Sequence, residues 1–111
     1  MTALLRRARI SSERRLSVGS TELIHDSLSV IAGGERMELP AKEFQLLYML
    51  LSYNNKIFTR RQIMDEIWGP DSASDEHTIN VHINRLREHF KNNPDFEIVT
   101  VRGLGYKAVR L

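Results

Sequence analysis

The sequence predicts an α+β domain in which a small antiparallel sheet precedes three helices and a β-hairpin closes the chain. Three observations predict this order. Near the N-terminus, short apolar and β-branched runs are separated by Gly19-Ser20, Asp26-Ser27 and Gly33-Gly34, the pattern of strands joined by tight turns. Across residues 40–91 the apolar positions recur at helical intervals. Near the C-terminus, two β-rich runs flank Arg102-Gly103-Leu104-Gly105. Strands first and helices afterwards indicate α+β rather than alternating α/β architecture.

Taken in order, residues 1–15 show no sustained period and read as a linker, with Leu4-Leu5-Arg6-Arg7 as the last helical turn of a preceding domain. Residues 16–18, 22–25, 28–32 and 36–39 are the strand candidates, and Gly33-Gly34 is a two-residue hairpin signal. Pro40 suits the first turn of a helix, where its missing N–H is not needed. Phe44, Leu46, Leu47, Tyr48, Met49, Leu50 and Leu51 then cover most of the circumference of that helix. It is therefore expected at the centre of the core, closed by Asn54-Asn55. Thr59-Arg60-Arg61-Gln62 is a capping box, and Phe58 with Ile63 forms the matching hydrophobic staple. This second helix buries Ile63, Ile67 and Met64 or Trp68, and stops at Gly69-Pro70.

The third helix, residues 74–91, carries Ile79, Ile83, Leu86 and Phe90 at steps of four, three and four. At about 100° per residue these side chains fall within roughly 40° of arc. Asp75 or Ser74 is expected to cap its start. The opposite face holds Thr78, Val81, Asn84 and Arg85, flanked by His82, Asn80 and Arg87. Short hydrogen-bonding groups, a methyl pair and arginines are what reading a DNA major groove requires: arginine pairs with guanine, asparagine with adenine, and methyls pack on thymine. A solvated amphipathic helix would share the apolar stripe. The last segments, residues 96–101 and 106–109, form the hairpin tipped by Arg102.

Composition narrows the function. With 41% hydrophobic and 27% charged residues in 111, the chain is one globular domain. It has no cysteine, so thiolate metal sites and disulfides are excluded and a cytoplasmic setting is compatible. No apolar run reaches membrane-spanning length, and residues 1–16, which have arginines but no apolar core, are not expected to be an export signal. The net charge of +2 is small, but its distribution is not even. Arginines crowd the first residues, acids occupy residues 65–76, and the C-terminal third is basic again, which suggests two partners on two surfaces. His77, His82 and His89 do not share one helix face, so no metal site or cofactor is expected. Asp65 and Glu66 beside His77 lack a nucleophile or a Gly-rich phosphate loop, so an enzyme is not expected.

The order of sheet, three helices and hairpin is that of a winged helix, and particular segments allow a sharper statement. Lys42-Glu43-Phe44-x-Leu46-Leu47, Phe58-Thr59-Arg60-x-x-Ile63, Ile67-Trp68-Gly69, Thr78-Ile79-Asn80-Val81-His82-Ile83-x-Arg85-Leu86-Arg87 and Thr100-Val101-Arg102-Gly103-x-Gly105-Tyr106 resemble the OmpR/PhoB-type effector domain of bacterial response regulators. The resemblance spans residues 16–111. It implies a winged helix-turn-helix with an N-terminal four-stranded antiparallel sheet, three helices and a C-terminal β-hairpin wing. The function implied is sequence-specific binding of double-stranded DNA and transcription regulation as the output domain of a cytoplasmic two-component regulator.

Carried over position by position, Thr78, Asn80, Val81 and Arg85 look like the base-reading set, and Arg102 like the wing residue that enters the minor groove. Trp68, His77, His82, Asn84, Arg87 and Thr100 look like contacts to the DNA backbone. Gly69, Pro70, Asp71, Ser72, Ala73, Ser74, Asp75 and Glu76 match the loop that meets RNA polymerase in that family. The family further implies head-to-tail self-association on direct repeats, and a receiver domain preceding residues 1–15.

This chain departs from the family pattern in three places. Pro40 replaces the usual Thr or Ser cap, and Asn80 and Asn84 are neutral where relatives often carry Asp and a basic residue. Asn84 therefore weakens one phosphate contact, and Asn80 bears on which base is preferred. No receiver sequence is present, so the chain is expected to be part of a longer regulator. A winged helix serving only protein contacts is the rival reading. It has no need of a wing-tip arginine in addition to Arg85, and a gel shift with long duplex at low salt separates the two. Nonspecific RNA binding would require exposed aromatic pairs, which this sequence lacks.

Overall fold

The computed structural model describes residues 15–69 and 77–111. The expected linker and most of the expected polymerase loop, including the Ser74 and Asp75 caps, lie outside these residues. Strands β1 (Arg15–Val18), β2 (Thr21–Ile24), β3 (Ser29–Ala32) and β4 (Glu35–Glu38) form an antiparallel meander in sequence order. The strands sit within one residue of the expected spans, except that His25 leaves β2 for a 3-10 turn, His25–Ser27. In the β3–β4 hairpin, Ala32 faces Glu35 across Gly33 and Gly34. Both glycines have positive φ, 61° and 80°, which a two-residue loop of this hand requires.

Helix α1 (Ala41–Ser52) follows. Pro40 is not in its first turn but stands at the cap, extended at ψ 148°, and its carbonyl accepts the Phe44 N–H at 2.9 Å. Phe44, Leu46, Leu47, Leu50 and Leu51 are fully buried. The helix is apolar almost all round because it meets β1, the second and third helices and the wing. Asn54 and Asn55 tie its end to the C-terminal strand. Asn54 Oδ1 accepts from the Arg110 N–H at 2.9 Å, and the Asn55 N–H donates to the Ala108 carbonyl at 2.7 Å.

Thr59 both ends the two-residue strand β5 (Phe58–Thr59) and caps helix α2 (residues 60–68). The capping box is complete: the Gln62 N–H donates to Thr59 Oγ1 at 3.1 Å, and the Thr59 N–H donates to Gln62 Oε1 at 2.9 Å. Phe58 and Ile63 are both buried, as the staple requires. Only Arg60–Ile63 is α-helical, however, and Met64–Trp68 continues as a π-helix. The wider turn ends with the Gly69 N–H donating to the Met64 carbonyl at 3.0 Å. The Ile67 carbonyl is met by Lys42 Nζ at 2.8 Å, so a lysine of α1 satisfies a backbone acceptor at the helix end. Ile63, Met64 and Ile67 are buried, while Trp68 packs against the core with part of its surface open.

Helix α3 (His77–His89) buries Ile79, Ile83 and Leu86, and Phe90 continues the stripe just past the helix end. The wing pairs β6 (Phe96–Val101) with β7 (Gly105–Arg110), and β7 also pairs with β5. Gly105 lies against β5 so closely that a Cβ there would sit 1.9 Å from the Phe58 carbonyl oxygen. The result is a winged helix-turn-helix built on a four-stranded N-terminal sheet.

A polar knot joins that sheet to the base of the wing. Asp95 Oδ2 accepts from Thr21 Oγ1 at 2.7 Å, Ser20 Oγ at 3.0 Å and the Ser20 N–H at 3.2 Å. Asn93 Nδ2 donates to Thr21 Oγ1 at 2.9 Å. These donors, led by the Thr21 hydroxyl, hold the Asp95 carboxyl below the usual carboxylate range.

Two outcomes follow from this architecture. Because Asp95 is more acidic when folded, its contribution is full above its unfolded pKa of about 4 and fades as pH falls through the lower folded value. Asp95→Asn should be less stable than wild type at neutral pH, and the difference should shrink as the pH of urea melts is lowered below about 4. A constant difference down the whole pH range would remove the carboxylate from the account. Gly105→Ala should cost about 1–3 kcal/mol by overpacking, lowering the melting temperature by several degrees. Gly105 is not among the positive-φ glycines, so this cost is that of the clash alone. An unchanged melt for Gly105→Ala would mean that β5 is not held against β7 in solution.

Candidate nucleic-acid interface

With its stripe turned to the core, α3 presents the other side to solvent. Val81, Asn84 and Arg85 are exposed, as is His77 at its start, and Thr78 is half-buried. The spacing of Thr78, Val81 and Arg85 keeps them on one side of the helix. The His82 ring nitrogen Nδ1 lies 2.9 Å from the Thr78 carbonyl, and the ring packs edge-on against Trp68 with centroids 5.0 Å apart. Trp68 and His82 thus form one unit at the junction of α2 and α3.

Other residues from the expected set face the wing. Asn80 Oδ1 accepts a hydrogen bond from the Tyr106 hydroxyl, which takes one of the two lone pairs of the amide oxygen and leaves the N–H2 group to donate elsewhere. Arg87 Nε donates to the Ile98 carbonyl at 3.2 Å, and its Nη2 donates to Thr100 Oγ1 at 2.6 Å. Its guanidinium lies 5.8 Å from the centre of the Tyr106 ring, and that of Arg60 lies 5.2 Å from the same ring. Both distances are within the range of cation–π attraction. Arg87 and Thr100, expected as separate backbone contacts, are brought together as a brace between α3 and β6. Arg102 stands exposed at the wing tip beside the exposed Leu104.

Arg85 has a partner that the sequence reading did not assign. Its Nη1 lies 3.6 Å from Oε2 of Glu43 on α1, and His89 Nε2 lies 3.8 Å from the other carboxylate oxygen. Glu43 is 2% exposed, Arg85 60%. Tyr106 was likewise quoted in the wing motif without a role, yet it joins β7 to Asn80. For Glu43 a signal was available: it is an acid set immediately before Phe44 on a helix apolar nearly all round. Tyr106 gave none, because its partners are remote in sequence.

The exposed side of α3 and the wing tip therefore offer Arg85, Arg102 and short polar or methyl-bearing groups to a polyanion. Among the described residues no helix is long and apolar enough to cross a membrane.

Comparison with known proteins agrees with this architecture. The chain is 46% identical over 107 residues to the heme response regulator HssR of Staphylococcus aureus, covering 96% of this chain and 48% of the relative. It thus spans about half the length of the curated relatives it matches. Among solved structures, the DNA-binding domain of CpxR from E. coli superposes with a TM-score of 0.75 at 28% identity, over 87% of this chain and 97% of that one. The DNA-binding domain of Klebsiella pneumoniae RstA, solved in complex with the RstA box, gives 0.74 at 26% identity, over 86% and 97%. Residues 34–108 match the family described as "Transcriptional regulatory protein, C terminal", and to that OmpR/PhoB-type family of regulator domains this chain belongs.

Proposed function

We propose that this chain is the sequence-specific DNA-reading output domain of a two-component response regulator. The observation that carries the reading is the exposed side of α3, with Thr78, Val81 and Arg85 in line, braced to a wing that ends in Arg102. The likeness to RstA, whose domain was solved on its DNA box, supports it. In this reading α3 enters the major groove, where Arg85 pairs with a guanine edge and Val81 packs on a thymine methyl. Asn80 offers its amide N–H2 group while Tyr106 holds its oxygen. Arg102 enters the adjacent minor groove, where a narrow A·T-rich segment has the strongest negative potential. Trp68, His77, His82, Asn84, Arg87 and Thr100 line the rim and fix the register against phosphates.

Two copies bind head to tail on direct repeats about one helical turn apart, and a receiver domain joined ahead of residues 1–15 controls their pairing. Residues 69–76 form the surface that meets RNA polymerase. Their acidic content would repel a phosphate backbone and suits a protein partner.

Binding-site selection from random duplex DNA at one fixed salt concentration tests the two arginines. Arg85→Ala should relax base preference at one position of each half-site, by about 1–3 kcal/mol. Arg102→Ala should weaken binding most on sites with A·T flanks and leave the core preference intact. Wild-type affinity should fall with salt at a log–log slope near about −4 to −5, for roughly four to six neutralised phosphates. Uniform loss across all sequences in both variants would reduce both arginines to phosphate contacts. A flat salt response would refute DNA binding itself.

The loop is tested separately. Asp71→Ala with Asp75→Ala should leave operator affinity unchanged or slightly higher, yet lower transcription from a dependent promoter. Because Asp75 is also a cap candidate, worth about 1 kcal/mol, each variant is first checked by thermal melting. Normal transcription from a stable double variant would contradict the polymerase assignment.

A further inference from the structure

We propose that Glu43 is a positioning residue for sequence reading, one that sets the orientation in which the Arg85 fork meets its base. The proposal rests on the base-reading role given above to Arg85. A carboxylate is an expensive group to place on α1. It is 2% exposed, and its Oε1 is buried without a hydrogen-bond donor. For stability alone, an apolar side chain of similar size does as well or better than a buried ion pair. Glu43 stands next to the fully buried Phe44 on the most apolar helix of the fold, where such a replacement is the obvious one. What an acid supplies there, and an apolar residue cannot, is a fixed charge behind Arg85.

The geometry suits that task. Arg85 is a long side chain, 60% exposed, with large rotamer freedom of its own. Reading guanine requires two parallel N–H bonds from one planar guanidinium, so an arginine free to turn loses part of its discrimination. Glu43 Oε2 attracts Nη1 of that guanidinium from the core side at 3.6 Å. This biases the plane and leaves the remaining N–H groups for the groove. His89, one turn further along α3, stands 3.8 Å from Oε1. The carboxylate is thus flanked by two α3 residues, one at each oxygen. Because Glu43 belongs to α1 rather than to the recognition helix, the reference point for Arg85 lies in the core itself.

The test is the same selection on wild type, Arg85→Ala, Glu43→Gln, Glu43→Asp and the double variant Arg85→Ala/Glu43→Gln, each checked for folding by thermal melting. Glu43→Gln removes the charge and keeps the length, whereas Glu43→Asp keeps the charge but withdraws it by one methylene. Both should lower preference about three- to tenfold at the one position that Arg85→Ala defines, a smaller loss than that of a whole bidentate pair. Other positions should be unchanged, and affinity for unrelated duplex should not fall. In the Arg85→Ala background Glu43→Gln should change nothing further. Full preference at that position in folded Gln and Asp variants, while Arg85→Ala loses it, would overturn the role of Glu43 and spare that of Arg85. Equal loss at every position, or failure of both Glu43 variants to fold, would make Glu43 a stability element and also overturn it. If Arg85→Ala left every position unchanged, the base-reading role would fail first and this inference with it.

Discussion

The structure depends on the burial of α1. Five of its large apolar side chains, Phe44, Leu46, Leu47, Leu50 and Leu51, are closed to solvent. Full burial of each such side chain contributes about 1.5–3 kcal/mol against the entropy of ordering the chain. Among the described residues no other element is enclosed to that degree. The first strand of the N-terminal sheet, the π-helical end of α2, the inner face of α3 and strand β7 all rest on it. The direction in which α3 displays its outer face is therefore decided on the side no ligand touches.

Apolar burial sets where the elements lie, but it is non-directional, and a reading surface also needs defined angles. Polar contacts supply these at three places. Asp95 collects donors from Ser20 and Thr21 and joins the N-terminal sheet to the root of the wing. Tyr106, between two guanidinium groups, reaches from β7 to Asn80. Arg87 links α3 to β6 through a backbone carbonyl and a hydroxyl. Each contact is directional and crosses between different elements, so helix, wing and N-terminal sheet are held at defined angles to one another.

Local signals in the sequence were the reliable ones. The capping box at Thr59, the Gly33-Gly34 turn and the stripe of Ile79, Ile83 and Leu86 each depend on neighbours within one or two turns, and each is present in the fold. The features that were not legible depend on remote partners. Proline suits the cap and the first turn alike, so its own chemistry does not choose between them, and Pro40 stands at the cap that the resemblance implies. Nothing in Met64–Trp68 announces a π-helix, whose wider turn is supported from outside by Lys42. Phe58–Thr59 is too short for a periodic signal and is a strand only because Gly105 admits its backbone. At the interface, the exposed positions of α3 and the wing tip could be read from periodicity and turn residues. The engagement of Asn80, Arg87 and Thr100 with the wing could not, since each partner lies beyond the helix that carries the motif.

Thr59 belongs to two elements at once, the end of β5 and the cap of α2. No spacer residue lies between strand pairing and helix, so one added residue there would either break the Thr59 pairing with Gly105 or rotate the capping oxygen away from Gln62. At Gly33 and Gly34 an added Cβ would meet nothing within 4 Å, and no residue of that hairpin turn belongs to two elements. Length can therefore vary at that hairpin across evolution or engineering, while the junction at Thr59 must keep its residue count.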